Sequence, residues 1–322
     1  MLSKLSDYSR VKTKVKKPDF FVVGAPKCGT TSLCKYLDQH PDIFISKPKE
    51  PHYFGQDLAA KPRRGRTLEK YLSLFEGAKN KVCGEGSTRY LYSKVAAKHI
   101  YELNPDAKII IMLRNPVDFL YSFHSQLLVD LAEDIPDFQL ALEAESDRRE
   151  GKRIPRDAQR PADCLYSEVA KFSEQVKRYF DTFGREQVYV IIFDDFKSDI
   201  ARIYRETLKF LEVDASFQFT DFKNHKPNAR IKNIALFRRK QRIKRWIISV
   251  GSLVPMFPGR APLKKLLLKR INRIMRPASP LEKVSREPMD PELRKHLKKQ
   301  FAPEVERLSN LLGRDLSHWS LD

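Results

Sequence analysis

One loop near the start of the 322-residue chain most constrains what it can fold into. The apolar run at 20–23 predicts a buried strand over residues 19–23, Gly24 and Gly29 bound a short loop, and residues 30–39 predict a helix. In such a strand–loop–helix unit, the loop amides and the unpaired N–H groups of the helix start converge on one point, where the helix dipole also favours negative charge. The loop therefore predicts a phosphate-binding site.

This loop departs from the common nucleotide-binding pattern G-x-x-x-x-G-K-[ST]. Gly24 and Gly29 have the required spacing, but Thr30 stands where the pattern needs a lysine, and the lysine of the loop is Lys27. A P-loop kinase or NTPase also uses a magnesium-binding acid at a strand end, for which the two aspartates at 194–195 are the candidates. The displaced lysine disfavours this class, which stays open as the main enzymatic alternative.

Three segments together resemble the sulfotransferases that use 3′-phosphoadenosine-5′-phosphosulfate (PAPS), in particular the glycan, heparan-type and bacterial members. The loop at 26–33, P-K-C-G-T-T-S-L, is similar to the 5′-phosphosulfate loop of that family. Residues 108–116 with Ser122 are similar to its 3′-phosphate motif, a strand ending in Arg-x-Pro with a serine eight residues after the arginine. Residues 301–319 resemble the closing helix of many members. The three lie in the family's order and span nearly the whole chain.

The resemblance implies how the donor is bound. Lys27 would stabilise the leaving phosphate, Arg114 and Ser122 would bind the 3′-phosphate, and a basic loop at 224–232 would cover the nucleotide. Because sulfuryl transfer is in line between two oxygens, the protein mainly positions reactants and stabilises charge, and no metal ion is required. The predicted donor-binding residues are Lys27, Cys28, Gly29, Thr30, Thr31, Ser32, Arg114, Ser122, Arg230 and Lys232.

The acceptor needs a base, and segment 47–54 offers two. It is similar to the K-E-x-x-[YF]-F segment of the glycan-type sulfotransferases, in which the glutamate is the base, and this maps onto Glu50. His52 is the competing candidate. Lys49 is expected to keep Glu50 ionised and to contact the sulfate. A surface ion pair is the other interpretation of Glu50. The predicted catalytic residues are Lys27, Glu50 and His52.

Further segments are predicted to frame the acceptor cleft. Residues 56–66 and 148–161 are dense in charge and proline, which is typical of surface loops. Residues 84–90 are similar to the T-P-x-Y segment of the family, with Arg89 in place of the proline. The expected acceptor is a hydroxyl or amine on a glycan, a glycolipid or a small molecule, and the sequence does not decide among these.

The net charge of +20 is concentrated in two places. Residues 226–276 hold 16 Lys or Arg and no Asp or Glu, and residues 1–17 hold six basic residues and one acidic one, so the remainder is near neutral. Such segments suit nucleic acid, an anionic membrane or a polyanionic acceptor, or form a solvated helix face. A nucleic-acid- or membrane-binding module is thus a second alternative, but it leaves the phosphate loop unexplained, so nucleic acid is not the expected partner.

Cysteine usage and the apolar segments bear on location. The four cysteines, Cys28, Cys34, Cys83 and Cys164, form no C-x-x-C pair and no metal spacing, which favours reduced thiols and a cytoplasmic protein. Residues 1–17 contain no apolar run, so no signal or anchor is predicted there. Residues 246–258 are apolar but only 13 long, too short to span a bilayer. They suit either a membrane interface or packing onto protein.

Alternating strand and helix patterns predict an α/β fold: a doubly wound parallel sheet with a P-loop-type phosphate cradle, followed by a helical C-terminal region. We expect a basic tail at 1–17 and a single domain at 18–322, with the basic, partly amphipathic insert at 226–276. Strands are predicted at 19–23, 43–45, 81–84, 107–113 and 188–193, and helices at 30–39, 93–103, 116–131, 165–183 and 199–211.

Overall fold

The computed structural model describes residues 16–60, 65, 67–217, 230–231, 281–282 and 287–321. Arg230 is described only through its backbone. Lys232, the apolar segment 246–258, residues 1–15 of the predicted tail and nearly all of the predicted insert lie outside the described residues.

The centre of the molecule is a five-stranded sheet in which every neighbouring pair is parallel. Its strands are β1 (Phe20–Gly24), β2 (Ile43–Ile45), β3 (Val82–Gly86), β4 (Lys108–Leu113) and β5 (Val188–Ile192). The spatial order is β2-β3-β1-β4-β5, so the chain winds from β1 to one edge and then crosses to the other. This confirms the predicted doubly wound sheet. The reversal of direction falls between β1 and β4, where such folds bind ligands at the carboxyl ends of the strands.

Helices connect and flank these strands. They are α1 (Thr30–Leu37), α2 (Leu68–Leu72), α3 (Ala96–Leu103), α4 (Pro116–Asp130), α5 (Phe138–Glu143), α6 (Glu145–Arg149), α7 (Tyr166–Val169), α8 (Phe172–Phe183), α9 (Phe193–Ser198), α10 (Ile200–Phe210) and α11 (Pro291–Leu312). Single 3₁₀ turns lie at Gln56–Leu58, Pro161–Cys164 and Ser317–Trp319, and a longer one at Ser73–Ala78. A short antiparallel pair, β6 (Arg230–Ile231) and β7 (Leu281–Glu282), lies apart from the main sheet.

The predicted helix at 165–183 is two helices in the structure. The chain leaves helical geometry at Lys171, with ψ at 67°, and α8 begins at Phe172. The cause is a tertiary cap, because the carboxylate of Glu304 in α11 accepts hydrogen bonds from the Ser173 N–H at 2.6 Å and from its hydroxyl at 3.0 Å. A cap supplied by a residue 131 positions away leaves no local signal in the sequence.

The C-terminal segment is tied to the sheet, which confirms the predicted helical region. Helix α11 packs on α8 and α4. Trp319 is buried, and its Nε1–H donates to Asp194 at 2.8 Å. The carbonyl oxygen of Trp319 accepts from the Asn115 side chain at 2.9 Å, directly beside Arg114. The end of the described chain thus supports the loop after β4.

The segment at 148–161 differs from the expected surface loop at its start. Arg148 is buried and forms two 2.7 Å hydrogen bonds with the buried carboxylate of Glu133, because Arg148 is the residue of α6 that faces the protein interior. The four cysteines are free and buried. In the described part of the chain, no helix is both long enough and apolar enough to cross a bilayer.

Candidate active site

The carboxyl ends of β1 and β4 open onto one cavity of about 520 Å³. The two strands are hydrogen-bonded neighbours, while the loops that follow them diverge to opposite sides, and the crevice lies between those loops. Eight of the predicted site residues line this cavity: Lys27, Gly29, Thr30, Thr31, Ser32, Glu50, Arg114 and Ser122. Residues separated by almost a hundred positions in sequence are therefore brought to one site.

Gly29 forms the turn from the loop into α1. Its φ of +88° lies in the left-handed region, and a Cβ at this position would lie 3.2 Å from ring carbons of Phe193 and Phe196. Glycine is thus required for both backbone geometry and space. Gly29 occupies the N-cap position of α1 and has no side chain with which to cap the helix. The first N–H groups of the helix consequently remain available to an anionic ligand.

Lys27 reaches from the loop toward α4. Its Nζ lies 3.4 Å from Oε1 of Gln126, whose amide nitrogen donates to Asp130 at 2.9 Å. Gln126 and Asp130 both line the cavity, and our sequence analysis missed them. They follow Ser122 at intervals of four residues, so helical spacing would have placed them on the same face of α4. This face therefore runs along the cavity past Lys27.

Arg114 follows β4 immediately. Its guanidinium stacks over the ring of Phe193 at 5.1 Å and pairs with Asp118 at 3.5 Å, while the side chain still lines the cavity. Asn115 caps α4 by accepting the Val117 N–H at 2.9 Å. Arg114 and Ser122 face the same space, as predicted. A guanidinium and a hydroxyl so placed can bind one phosphate together.

Glu50 lines the cavity opposite these cations and is held by two neighbours. Lys49 Nζ and His52 Nε2 lie 3.2 Å from its two oxygens. Burial by itself raises the pKa of Glu50, but the hydrogen bond from His52 and the charge of Lys49 outweigh burial and hold that pKa well below its usual range. Glu50 is therefore ionised at neutral pH, and the predicted contact with Lys49 is present.

His52 has a different environment. Burial lowers the pKa of its imidazole; the hydrogen bond to Glu50 opposes this, while nearby Arg160 and Arg89 lower the pKa further. Because an ionised carboxylate only accepts hydrogen bonds, Nε2 of the neutral ring carries the hydrogen and donates a hydrogen bond to Glu50. His52 does not line the cavity, whereas Glu50 does. The two candidate bases are thus not equivalent in the structure.

Some predicted site residues are placed elsewhere or lie outside the description. The Cys28 side chain is fully buried, does not line the cavity, and has its pKa raised to about 12, chiefly by burial. It can offer only its main chain to a ligand. The backbone of Arg230, in β6, lies beside α4. Nothing is described for Lys232.

The two aspartates after β5 are not free to bind magnesium. Asp195 pairs with Arg314, with an Oδ1 to Nη2 distance of 2.8 Å, and Asp194 accepts the Trp319 indole N–H. Both carboxylates therefore hold the C-terminal segment, and the kinase alternative, already weakened by Thr30, is not favoured. Within the described residues, no group of three or more His, Cys, Asp or Glu is arranged to hold a metal ion.

One end of the cavity is apolar and was also missed. Its residues come from α1 and from the segment after β5: Tyr36, Phe193, Phe196 and Ile200. Phe193 follows the carboxyl end of a parallel strand, a position at which ligands are commonly bound, and this was the available signal. Aromatic and aliphatic surface beside cationic groups suits a ligand that combines a flat ring with phosphates.

Comparisons with known proteins agree with this geometry. Residues 17–252 match the family model described as the sulfotransferase domain. A crystal structure of a sulfotransferase from Alicyclobacillus acidocaldarius is 32% identical, and the match covers 95% of this chain and 100% of that chain with a TM-score of 0.67.

Two curated relatives match over part of their length. Bifunctional heparan sulfate N-deacetylase/N-sulfotransferase 3 from Homo sapiens is 27% identical over 228 residues, which is 68% of this chain and 25% of that protein. Carbohydrate sulfotransferase 15 from Mus musculus is 24% identical over 245 residues, 61% of this chain and 44% of the relative. This chain thus spans less than half of either relative. With the family model matching well over half of this sequence, the chain belongs to the sulfotransferase domain family.

Proposed function

We propose that this chain transfers a sulfuryl group from PAPS to a hydroxyl or amine of a glycan, a glycolipid or a small-molecule acceptor. One observation carries the proposal: Lys27, Arg114 and Glu50, from three separate loops, line a single cavity. Two cations and one ionised carboxylate in one crevice match the need to bind an anionic donor and to remove a proton from an acceptor.

The residues present fit the donor. Amides and hydroxyls at the start of α1 bind its 5′-phosphate, and Arg114 with Ser122 binds its 3′-phosphate. Lys27 neutralises the charge that develops on the bridging oxygen when the bond from that oxygen to sulfur breaks. PAPS, when bound, supplies the activated sulfuryl group. The apolar end of the cavity at Phe193 suits the nucleobase.

Glu50 is the proposed base. The acceptor hydroxyl or amine loses its proton to the Glu50 carboxylate while the acceptor atom attacks sulfur. Glu50 is favoured over His52 because Glu50 lines the cavity and is ionised, whereas Nε2 of His52 is occupied in donating a hydrogen bond to Glu50. His52 instead orients the carboxylate. The names of the curated relatives make an amine-bearing or hydroxyl-bearing glycan the first acceptor to test.

Calorimetric binding of 3′-phosphoadenosine-5′-phosphate (PAP) tests the donor assignment. We expect wild-type protein to bind PAP, and Arg114→Ala to weaken binding by about 10- to 100-fold, the typical contribution of hydrogen bonds to a charged group. Arg149→Ala is the matched control, since Arg149 is 45% exposed on α6 and pairs with Glu145. Binding of magnesium–ATP in preference to PAP would overturn the proposal.

Turnover tests the acceptor side. Wild type and Glu50→Gln are assayed with ³⁵S-labelled PAPS on N-desulfated heparin, chondroitin, galactosylceramide and a simple phenol. We expect transfer to at least one of them, about 100-fold or more slower in Glu50→Gln, with PAP binding unchanged. Glu174→Gln removes an equal charge from the exposed face of α8 and serves as the control. Wild-type rates in Glu50→Gln would exclude this residue as the base.

A further inference from the structure

A buried carboxylate lies behind the segment that carries Glu50. Glu85, in β3, is fully buried and does not line the cavity. Its Oε1 accepts from the hydroxyls of Tyr71 at 2.8 Å and Tyr90 at 2.9 Å, and its Oε2 accepts from Ser87 Oγ at 2.5 Å. Three neutral donors thus converge on one carboxyl group that plays no part in the chemistry proposed above.

Two of these hydroxyls also bind the main chain of the acceptor-side segment. Ser87 Oγ accepts the His52 N–H at 3.0 Å, and the Tyr90 hydroxyl accepts the Phe54 N–H at 3.3 Å. A backbone amide can only donate, so each hydroxyl is left with its own proton to give to Glu85. Two hydrogen-bond relays therefore connect Glu85 to residues 52–54, one through Ser87 and one through Tyr90. In both relays Glu85 is the acceptor, which fixes the direction of the hydrogen bonds.

That segment needs external support. Glu50 has φ +61° and His52 has φ +51°, both in the left-handed region that side chains with a Cβ seldom occupy. Conformations of this kind persist only when their surroundings hold them. Tyr53 stacks on Tyr71 at 4.6 Å. Phe54 packs edge-on against Tyr90 at 5.7 Å. The two tyrosines bound to Glu85 thus also pack against the segment through their rings.

We propose that Glu85 is a positioning residue for proton transfer. Through Ser87 and Tyr90 it holds the His52–Phe54 main chain, and this in turn keeps the left-handed Glu50 aimed into the cavity. The inference rests on the proposed function, since it assigns Glu85 a task in the same reaction. It predicts that loss of the relay disturbs the base without disturbing the nucleotide site, to which Glu85 makes no contact.

The test removes single links and measures two quantities. In Ser87→Ala and Tyr90→Phe we expect kcat, on the acceptor from the panel above that gives turnover, to fall about 10- to 100-fold, the effect of misplacing a catalytic group by about 1 Å. The KM for PAPS should stay within about twofold. Hydrogen–deuterium exchange of the peptide containing residues 50–54 should become faster, because the amides of His52 and Phe54 lose their acceptors.

Variants of Glu85 itself and a matched control complete the experiment. Glu85→Leu removes all three acceptor contacts, and Glu85→Gln, which keeps one carbonyl oxygen for the tyrosines, should recover part of the lost kcat. Tyr166→Phe is the control, since Tyr166 also donates to a buried carboxylate, that of Glu133 at 2.7 Å, but away from this segment. It should leave kcat and the exchange of residues 50–54 unchanged.

The outcomes separate this inference from the proposed function. Unchanged kcat in both Ser87→Ala and Tyr90→Phe, or a parallel loss of PAP affinity, would overturn the positioning role, as would an equal loss of kcat in Tyr166→Phe. Absence of transfer by the wild type would instead overturn the proposed function. The exchange measurement needs no turnover, so unchanged exchange in every variant of the relay would overturn the role of Glu85 even then.

Discussion

The carboxylate of Glu50 receives hydrogen bonds from two side chains of its own segment, Lys49 and His52. Burial alone would raise the pKa of this carboxylate, but these two partners reverse the direction of the pKa shift. A base whose pKa lies below its usual range is ionised over the whole neutral region. The acid limb of the kcat/KM profile should then lie at low pH, in the acidic range below the ordinary value of 4.5 for this carboxyl group.

Replacing His52 by Ala should move that acid limb to higher pH. The substitution removes a donor that stabilises the Glu50 anion, so the pKa of Glu50 rises and protonation inactivates the base earlier on acidification. The measurement is kcat/KM between pH 4 and 8 for wild type and His52→Ala. Complete loss of activity, with no acid limb to observe, would mean that His52 rather than Glu50 takes the proton.

Gly29→Ala should distort the proposed phosphate site at the turn from the loop into α1. The new methyl group would lie 3.2 Å from the Phe193 ring in a backbone conformation with φ +88°, so either the loop or the ring must shift. We expect a loss of about 1–2 kcal/mol in the free energy of unfolding and weaker PAP binding. Urea unfolding and calorimetry measure the two effects. Gly151→Ala, also at positive φ but with open space around it, is the control for backbone strain alone.

At the scale of elements, the central strands could be predicted from the sequence because strands buried on both faces are continuous apolar runs. Residues 109–113 are apolar throughout, and β4 is an interior strand of the sheet, between β1 and β5, as expected for such a run. The break between α7 and α8 was invisible, because the cap comes from Glu304 in α11. The site residues show the same difference between local signals and signals that arise from the fold. Lys27 and Arg114 stand in contiguous motifs, whereas Gln126 and Phe193 lie outside these motifs and were indicated only by the helical spacing along α4 and by the position after β5.

Strand β3 gives the molecule a pH-dependent stability. Burial raises the pKa of Glu85 from 4.5 to about 7 despite three hydroxyl donors. Between those values the folded state holds a proton that the unfolded state has lost, so this stabilising contribution is complete below about 4.5 and is lost as pH rises through about 7. The loss amounts to about 3 kcal/mol. Glu85→Gln should lack this decline in urea unfolding between pH 5 and 8, and an identical slope in both proteins would contradict the assignment.

At the scale of the whole molecule, the C-terminal segment supports the proposed nucleotide site from outside the sheet. Trp319 contacts the loop after β4 through Asn115 and helix α9 through Asp194. Arg294, in α11, also pairs with Asp118, the neighbour of Arg114 on α4. The residues proposed to bind a donor phosphate are therefore supported by the C-terminal segment as well as by their own strands.

Trp319→Ala should weaken both folding and nucleotide binding. Removing a buried indole typically costs about 3–5 kcal/mol, and without the indole the main-chain carbonyl that accepts from Asn115, beside Arg114, is held less firmly. We expect lower unfolding free energy and weaker PAP binding at a temperature where the variant is folded. Trp319→Phe keeps most of the buried volume of the side chain, so it should recover most of both. Unchanged PAP affinity in Trp319→Ala would show that the Arg114 loop keeps its conformation without the Trp319 side chain.

The bond between Asn115 and Trp319 joins residues 204 positions apart. During synthesis the sheet strands leave the ribosome long before Trp319 does. The Arg114 loop is therefore synthesised well before the Asn115–Trp319 hydrogen bond can form. Closing so long a stretch of chain is entropically costly and comes late in folding. A nascent chain arrested before residue 319 therefore already contains every strand of the main sheet, but it should bind nucleotide poorly until translation supplies the turn at Ser317–Trp319.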